Sequence, residues 1–347
     1  MTATAHWLYS ETALLKNGHD RNYPYGQLLR ARILRKRVPS PQQAWDRSDA
    51  LWTRVDWTQF GRDCIVNGRR VSYVDIGSGP TLLLVHGHGG CWRFWLRVLP
   101  KLAQRCRVIA VDLPGFGDSD TALGGDVMSE QVATLTSLVR QLGLMRVVVA
   151  GHSMGGLATI RVAIEDPAHF AGVVLVDAGG SKIGPKRLAL ILATFRVFHA
   201  VFGARVSRFV ARHPALFRLL LVLALADTRS MSPSLALEII PRMAAPGFIS
   251  TMKAAAEEVN VARPEEIDQP ALVVWGERDR ILPCRDGRAL ADRMPNSRFV
   301  ALDQVGHCPM IEAPDETAQL LGDFVVDTLR REPKDTSSPD HLRPASG

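Results

Sequence analysis

The sequence predicts an α/β fold: a mostly parallel sheet covered by helices on both faces, with a helical insertion in its second half. Three observations predict it. Short, nearly continuous apolar runs recur along the chain, as in strands buried on both faces. Helix-period segments separate most of these runs, the alternation that builds parallel sheets. Between the run ending near Val176 and the one starting near Ala271, about ninety residues carry no convincing strand.

The elements follow in order. Residues 1–60 show no strong periodicity but hold a basic cluster, Arg30, Arg32, Arg35, Lys36 and Arg37, among Leu28, Leu29, Ile33 and Leu34. That pattern reads as a solvated helix packed on the main domain, or alternatively as a membrane-surface helix. Residues 64–66 and 69–75 flank Asn67-Gly68 and read as a hairpin. Strands are then expected at 81–86, 108–111, 147–150, 173–176, 271–275 and 299–302, and helices at 130–142, 156–164 and 317–329. Gly203, Pro214, Pro233 and Pro246-Gly247 cut the long gap into several short helices. The polar, proline-rich end from Glu332 onward reads as disordered. The expected organisation is a basic extension (1–60), a core in two pieces (61–180 and 266–331), a helical cap (181–265) and a tail (332–347).

Composition narrows the class. With 22 % charged and 46 % apolar residues in 347, the chain is an ordinary packed protein. The net charge of +7 is uneven: +4 for residues 1–60, +1 for 61–180, +8 for 181–226 and −6 for 227–347. Five cysteines without CxxC spacing suggest neither a disulfide framework nor a zinc site, so no metal or cofactor is expected and a cytoplasmic location fits best. The N-terminus lacks the apolar core of a signal peptide. The longest apolar stretch, residues 219–226, is far short of the roughly 20 residues a bilayer crossing needs.

Chemistry concentrates at three strand ends. Gly151-His152-Ser153-Met154-Gly155 follows an apolar strand and precedes a helical pattern, the strand–turn–helix setting in which G-x-S-x-G holds a serine hydroxyl clear of the sheet. A serine needs a base to remove its proton, and the base needs a carboxylate to orient it. Asp279 follows the next-to-last strand and His307 the last, giving the chain order Ser153, Asp279, His307.

These motifs, with His86-Gly87-His88-Gly89-Gly90 and the Asp112-to-Ser119 loop, resemble the α/β-hydrolase fold superfamily over about residues 63–330. The branch resembled is that of capped serine hydrolases of esterase or lipase type. The resemblance implies an oxyanion hole from the backbone N–H groups of His88 and Met154, with the His86 and His88 side chains structural. It also names a rival acid, Asp177, because some members take the acid from the end of that preceding strand; Asp279 sits in the commoner motif. Glu277 reads as a loop charge, Cys91 and Cys308 as packing residues, and Asp112 and Asp118 as caps on a tight loop. Relatives that open epoxides or carbon–halogen bonds carry aspartate at the elbow and commonly HGxP at the oxyanion loop, so the Ser153 elbow and HGHGG loop exclude those activities.

The activity expected is hydrolysis of lipophilic carboxylic esters through an acyl-enzyme. Two alternatives stay open: carbon–carbon hydrolysis of vinylogous diketo acids with the same residues, and a catalytically silent binding protein. Residues 181–226 carry eight basic and no acidic residues among aliphatic runs, with Arg205, Arg208 and Arg212 spaced for one helix face. Either the basic side is merely solvated, or it and the N-terminal arm meet an anionic membrane surface. Nucleic acid is not an expected partner, because the block lacks tyrosine and tryptophan for stacking.

Overall fold

The computed structural model describes residues 34–36, 41–121, 126–201 and 204–330. The expected tail and most of the basic N-terminal cluster lie outside them. Nine strands form one sheet in the order β1-β9-β8-β7-β6-β4-β5-β3-β2. Their ranges are β1 Leu34–Lys36, β2 Gly61–Val66, β3 Arg69–Ile76, β4 Thr81–Val85, β5 Arg107–Val111, β6 Val147–His152, β7 Phe170–Val176, β8 Ala271–Gly276 and β9 Ser297–Leu302. Only β2 with β3 and β3 with β5 pair antiparallel. The β2–β3 turn has φ of 51° at Asn67 and 78° at Gly68, the double left-handed conformation that a two-residue hairpin demands.

The apolar runs are strands because both of their faces are covered. Leu82 and Leu84 enter one core with Val148, Ala150, Val174 and Val176, while Leu83 and Val85 enter the other. This is the period-two alternation of a pleated strand sandwiched between helix layers. On the first face lie α2 (Leu99–Leu102), α11 (Pro309–Glu312) and α12 (Pro314–Leu329), with α1 (Pro41–Trp52) outside them. On the second face lie α3 (Val127–Gln141), α4 (Met154–Glu165) and α10 (Cys284–Arg293).

The N-terminal region departs from its expectation. Within the basic cluster, Leu34–Lys36 form an edge strand parallel to β9 rather than a helix. The helix comes later, as α1, and it clasps the core. Trp45 Nε1 donates to the Glu312 carbonyl at 2.6 Å. Arg97, 1 % exposed, holds both Asp49 oxygens at 2.7 and 2.8 Å and the Ile311 carbonyl at 2.7 Å. A buried guanidinium is stable only when its donors are paired in this way.

Between β7 and β8 run α5 (Pro185–Val201), α6 (Ala204–Ala211), α7 (Pro214–Leu220), α8 (Pro233–Ile239) and α9 (Phe248–Glu258). Pro214 and Pro233 each open a helix at its first position, where a missing N–H costs nothing. Gly247 precedes α9 because a Cβ there would meet Gly115 Cα at 2.9 Å. Phe217, Leu235, Ile239 and Phe248 are buried, so the insertion packs as part of the molecule. Gly203, a further expected break, lies outside the described residues.

Candidate active site

The turn from β6 into α4 dictates where Ser153 points. Its backbone sits at φ 52° and ψ −118°, a conformation L-residues adopt at a cost. Small neighbours make the turn possible. A Cβ on Gly151 would meet Gly155 O at 2.4 Å, and one on Gly155 would meet His86 O at 2.4 Å. The oxyanion-loop candidate runs directly alongside, since a Cβ on Gly87 would stand 2.9 Å from the Ser153 Cβ. Gly90 N–H closes that loop on Gly87 O at 3.0 Å. Met154 is the first residue of α4, so its N–H belongs to the helix end that has no acceptor within the helix.

Three side chains predicted from distant parts of the chain meet here. His307 Nε2 lies 3.0 Å from Ser153 Oγ, and its Nδ1 lies 2.7 Å from Asp279 Oδ2. Asp279 Oδ1 accepts N–H bonds from Ile281 and Leu282 at 2.8 and 2.9 Å. Burial alone would raise the Asp279 carboxyl. The His307 ring and these backbone donors outweigh burial and hold it below the usual carboxylate range. Such a carboxylate fixes the Nδ1–H tautomer of His307 and leaves Nε2 free to accept a proton from Ser153.

The loop that presents His307 is braced from several sides. His307 N–H donates to Ala224 O at 2.9 Å, and Gly306 N–H donates to Glu312 Oε2 at 2.7 Å. His152 donates through Nε2 to the His307 carbonyl at 2.8 Å. Burial, then proximity to His307, lowers the His152 ring to about 3, so it stays neutral. His86 bridges the Gly87 carbonyl and the Leu113 N–H at 2.8 and 3.0 Å, and burial lowers it to about 4. Asp112 accepts from Trp92 and Asp118 N–H at 2.7 and 2.8 Å, capping its loop. The Cys91 thiol, pushed up by burial to about 12, and the buried Cys308 thiol are packing groups.

Asp177 does not reach the Nδ1 position of His307 that Asp279 fills. It ends β7, fully buried, with Oδ1 accepting Gly276 N–H at 3.0 Å, and it stands beside the Asp279 carboxylate. Among the described residues no other three His, Cys, Asp or Glu side chains lie as close as Asp177, Asp279 and His307, within 4.8 Å of one another.

Above Ser153 opens a cavity of about 80 Å³, walled by Met154, Leu157, Ile183, Leu188 and Ile191. A second apolar cavity, about 230 Å³, adjoins it across His88, Ile191, Phe195 and Ile281. Both ring nitrogens of His88 are buried without a partner among the described residues. The ring packs 4.1 Å from Phe248 and 5.2 Å from Phe195. Burial lowers it to about 3. The bracing by Glu312 and the walls from Phe195 and Phe248 were not legible in the sequence. No motif marks these three residues in the sequence.

A model of the alpha/beta hydrolase family matches residues 82–320. The chain belongs to that family and is a hydrolase. It is 30 % identical over 271 residues to a 2-hydroxy-6-oxononadienedioate/2-hydroxy-6-oxononatrienedioate hydrolase of Paraburkholderia phymatum, covering 74 % of this chain and 91 % of that one. It is 28 % identical over 268 residues to lipase 1 of Psychrobacter immobilis, covering 73 % and 80 %. The structure of a bacterial membrane phospholipase A superposes with a TM-score of 0.63 at 26 % identity, over 82 % of this chain and 93 % of that one.

Proposed function

We propose that the protein hydrolyses lipophilic carboxylic esters through a Ser153 acyl-enzyme, with α5 to α9 serving as a cap over the site. The observation that carries this reading is the hydrogen-bonded chain Ser153–His307–Asp279 at the floor of an apolar cavity. As Ser153 Oγ attacks the ester carbonyl, His307 Nε2 takes its proton. The backbone N–H groups of His88 and Met154 serve the oxyanion, whose charge exists only in the tetrahedral state. His307 then returns the proton to the leaving alkoxide, and later activates the water that releases the acid.

The cavity wall bears on the choice of substrate. Among the described residues no lysine or arginine lines the chamber over Ser153, and its one imidazole is neutral; the cation of the adjoining cavity, Arg280, donates to the Val222 carbonyl. A vinylogous diketo acid brings a carboxylate that requires a cation beside it; an aliphatic ester requires none. This favours the activity named in the Psychrobacter lipase over that of the Paraburkholderia enzyme. Five unpaired cysteines suit a reducing compartment such as the cytoplasm. The exposed basic and apolar surface of the cap supports peripheral contact with anionic membrane; the phospholipase's name places that protein at a membrane.

The test is turnover of medium-chain p-nitrophenyl esters by wild type and Ser153→Ala. We expect the substitution to reduce kcat/KM by about 10⁴-fold or more, as loss of a nucleophile does in serine hydrolases. Undiminished turnover in the variant overturns the assignment. Turnover of a diketo acid but of no ester favours the carbon–carbon reading, and failure of a fluorophosphonate to label Ser153 favours a silent binding protein.

A further inference from the structure

Two buried carboxyl groups stand at the foot of His307, and the hydrolytic relay engages one of them. Their surroundings differ. Asp279 receives three donors: the His307 ring on Oδ2, and the Ile281 and Leu282 N–H groups on Oδ1. Asp177 receives one, from Gly276 on Oδ1, while its buried Oδ2 finds no donor. Asp177 is 0 % exposed and Asp279 5 %. Oxygens of both and a ring nitrogen of His307 lie within 4.8 Å of one another.

Two carboxylates this close, away from water, do not both ionise; one keeps a proton. The proton resides where the negative charge is least supported. That oxygen is Asp177 Oδ2, because the donors on Asp279 all stabilise its charged form. Placed there, the proton also removes the one unmet polar atom of the pair, since Oδ2 becomes a donor to its neighbour. We propose that Asp177 is a positioning residue: a neutral carboxylic acid that donates a hydrogen bond to Asp279, holds that carboxylate charged against His307, and itself carries the negative charge of the pair when asparagine takes the place of Asp279. The direction of both carboxyl groups agrees. Burial, then repulsion from Asp279, raises Asp177 well above its usual range, while Asp279 is held down. Glu312, Cys284 and Cys308 also face Asp177, and His152 lies beyond the His307 ring.

The inference rests on Ser153 as nucleophile, so the readout is the rate at which a fluorophosphonate labels Ser153, which requires no knowledge of the natural substrate. Asp177→Asn suits the site: asparagine supplies a neutral donor, accepts from Gly276, and tolerates the φ of 40° found there. Its labelling rate should stay within about threefold of wild type, because one neutral donor replaces another. Asp279→Asn should fall by about 100-fold, short of the about 10⁴-fold that loss of an orienting carboxylate causes in a serine triad. Asp177→Asn combined with Asp279→Asn should reach that about 10⁴-fold loss. The residual rate of Asp279→Asn should rise with pH as Asp177 ionises, a limb absent from the double variant.

Independently of any variant's activity, the infrared difference between wild type and Asp177→Asn at neutral pH should contain a protonated-carboxyl band. Two results overturn the proposal: an Asp177→Asn loss as large as that of Asp279→Asn, or a double variant no slower than Asp279→Asn. A missing carboxyl band does so too, whatever labelling rates the variants show. If wild type itself is not labelled, the Ser153 reading fails instead, and the two failures are distinguishable.

Discussion

His86, His88 and His152 are held as neutral bases in the wall around Ser153, lowered by burial to about 4, about 3 and about 3. In an unfolded chain each would titrate near pH 6.5. A base lowered on folding contributes its full stabilisation above pH 6.5 and loses it as the pH falls toward the folded value, because the unfolded chain binds the proton first. Stability should therefore drop steeply between about pH 6.5 and 4. His88 is the cleanest probe, since neither ring nitrogen has a partner among the described residues to lose. His88→Leu should flatten the slope of unfolding free energy in that window by about 1.4 kcal/mol per pH unit, one proton's worth. Urea unfolding at pH 4.5, 5.5 and 6.5 measures it, and an unchanged slope refutes it. The chain positions of Ser153, Asp279 and His307 were legible because strand-end motifs fix them. The environments of His88 and Asp177 were not, because burial and pairing arise from residues far away in sequence, such as Phe248 and Asp279.

Helices α5 and α9 decide what space Ser153 faces. Phe195 on α5 touches both cavities, while Phe248 on α9 backs the His88 ring and would collide with any Cβ on Gly89. With His88, Ile191 and Ile281, Phe195 stands between about 80 Å³ and about 230 Å³ of apolar space. Phe195→Ala should join the two, and shift the ratio of kcat/KM for long over short acyl esters upward by about tenfold, roughly the discrimination of one or two methylenes. A chain-length series of p-nitrophenyl esters reads this directly; a ratio that does not move means that the chains never enter the larger cavity. The central strands were legible at this scale because both of their faces are buried, leaving unbroken apolar runs. β1 was not, since three residues held by edge pairing to β9 carry no compositional mark. Nor was α1, whose buried stripe is only Ala44, Trp45, Ser48 and Trp52 in an otherwise polar helix.

At the scale of the molecule, the largest charge surplus, +8 over residues 181–226, falls on the segment that also holds most of the exposed large apolar side chains among the described residues. Leu190, Val197, Phe209 and Leu219 are 68, 64, 56 and 72 % exposed. Arg196, Arg208 and Arg212 are exposed among them. The side chain of Arg205 lies outside the described residues. Not all of the segment's charge is available, because Arg187 pairs with Asp286 at 2.6 Å. No helix among the described residues is long and apolar enough to cross a membrane. The larger cavity is lined by Leu190 and Leu223, which are also exposed, so its mouth opens onto this same surface. A chain drawn from a lipid layer would enter there and pass His88 toward Ser153. Each arginine near an anionic surface contributes about 1 kcal/mol, so replacing Arg196, Arg208 and Arg212 by glutamine should weaken binding to phosphatidylglycerol vesicles by about 100-fold. Hydrolysis of a soluble short-chain ester should remain within about twofold, because none of the three lines either cavity. Co-sedimentation with phosphatidylglycerol and with phosphatidylcholine vesicles separates charge attraction from apolar insertion. Equal binding of wild type and variant to the anionic vesicles would show the arginines to be a solvated face and nothing more.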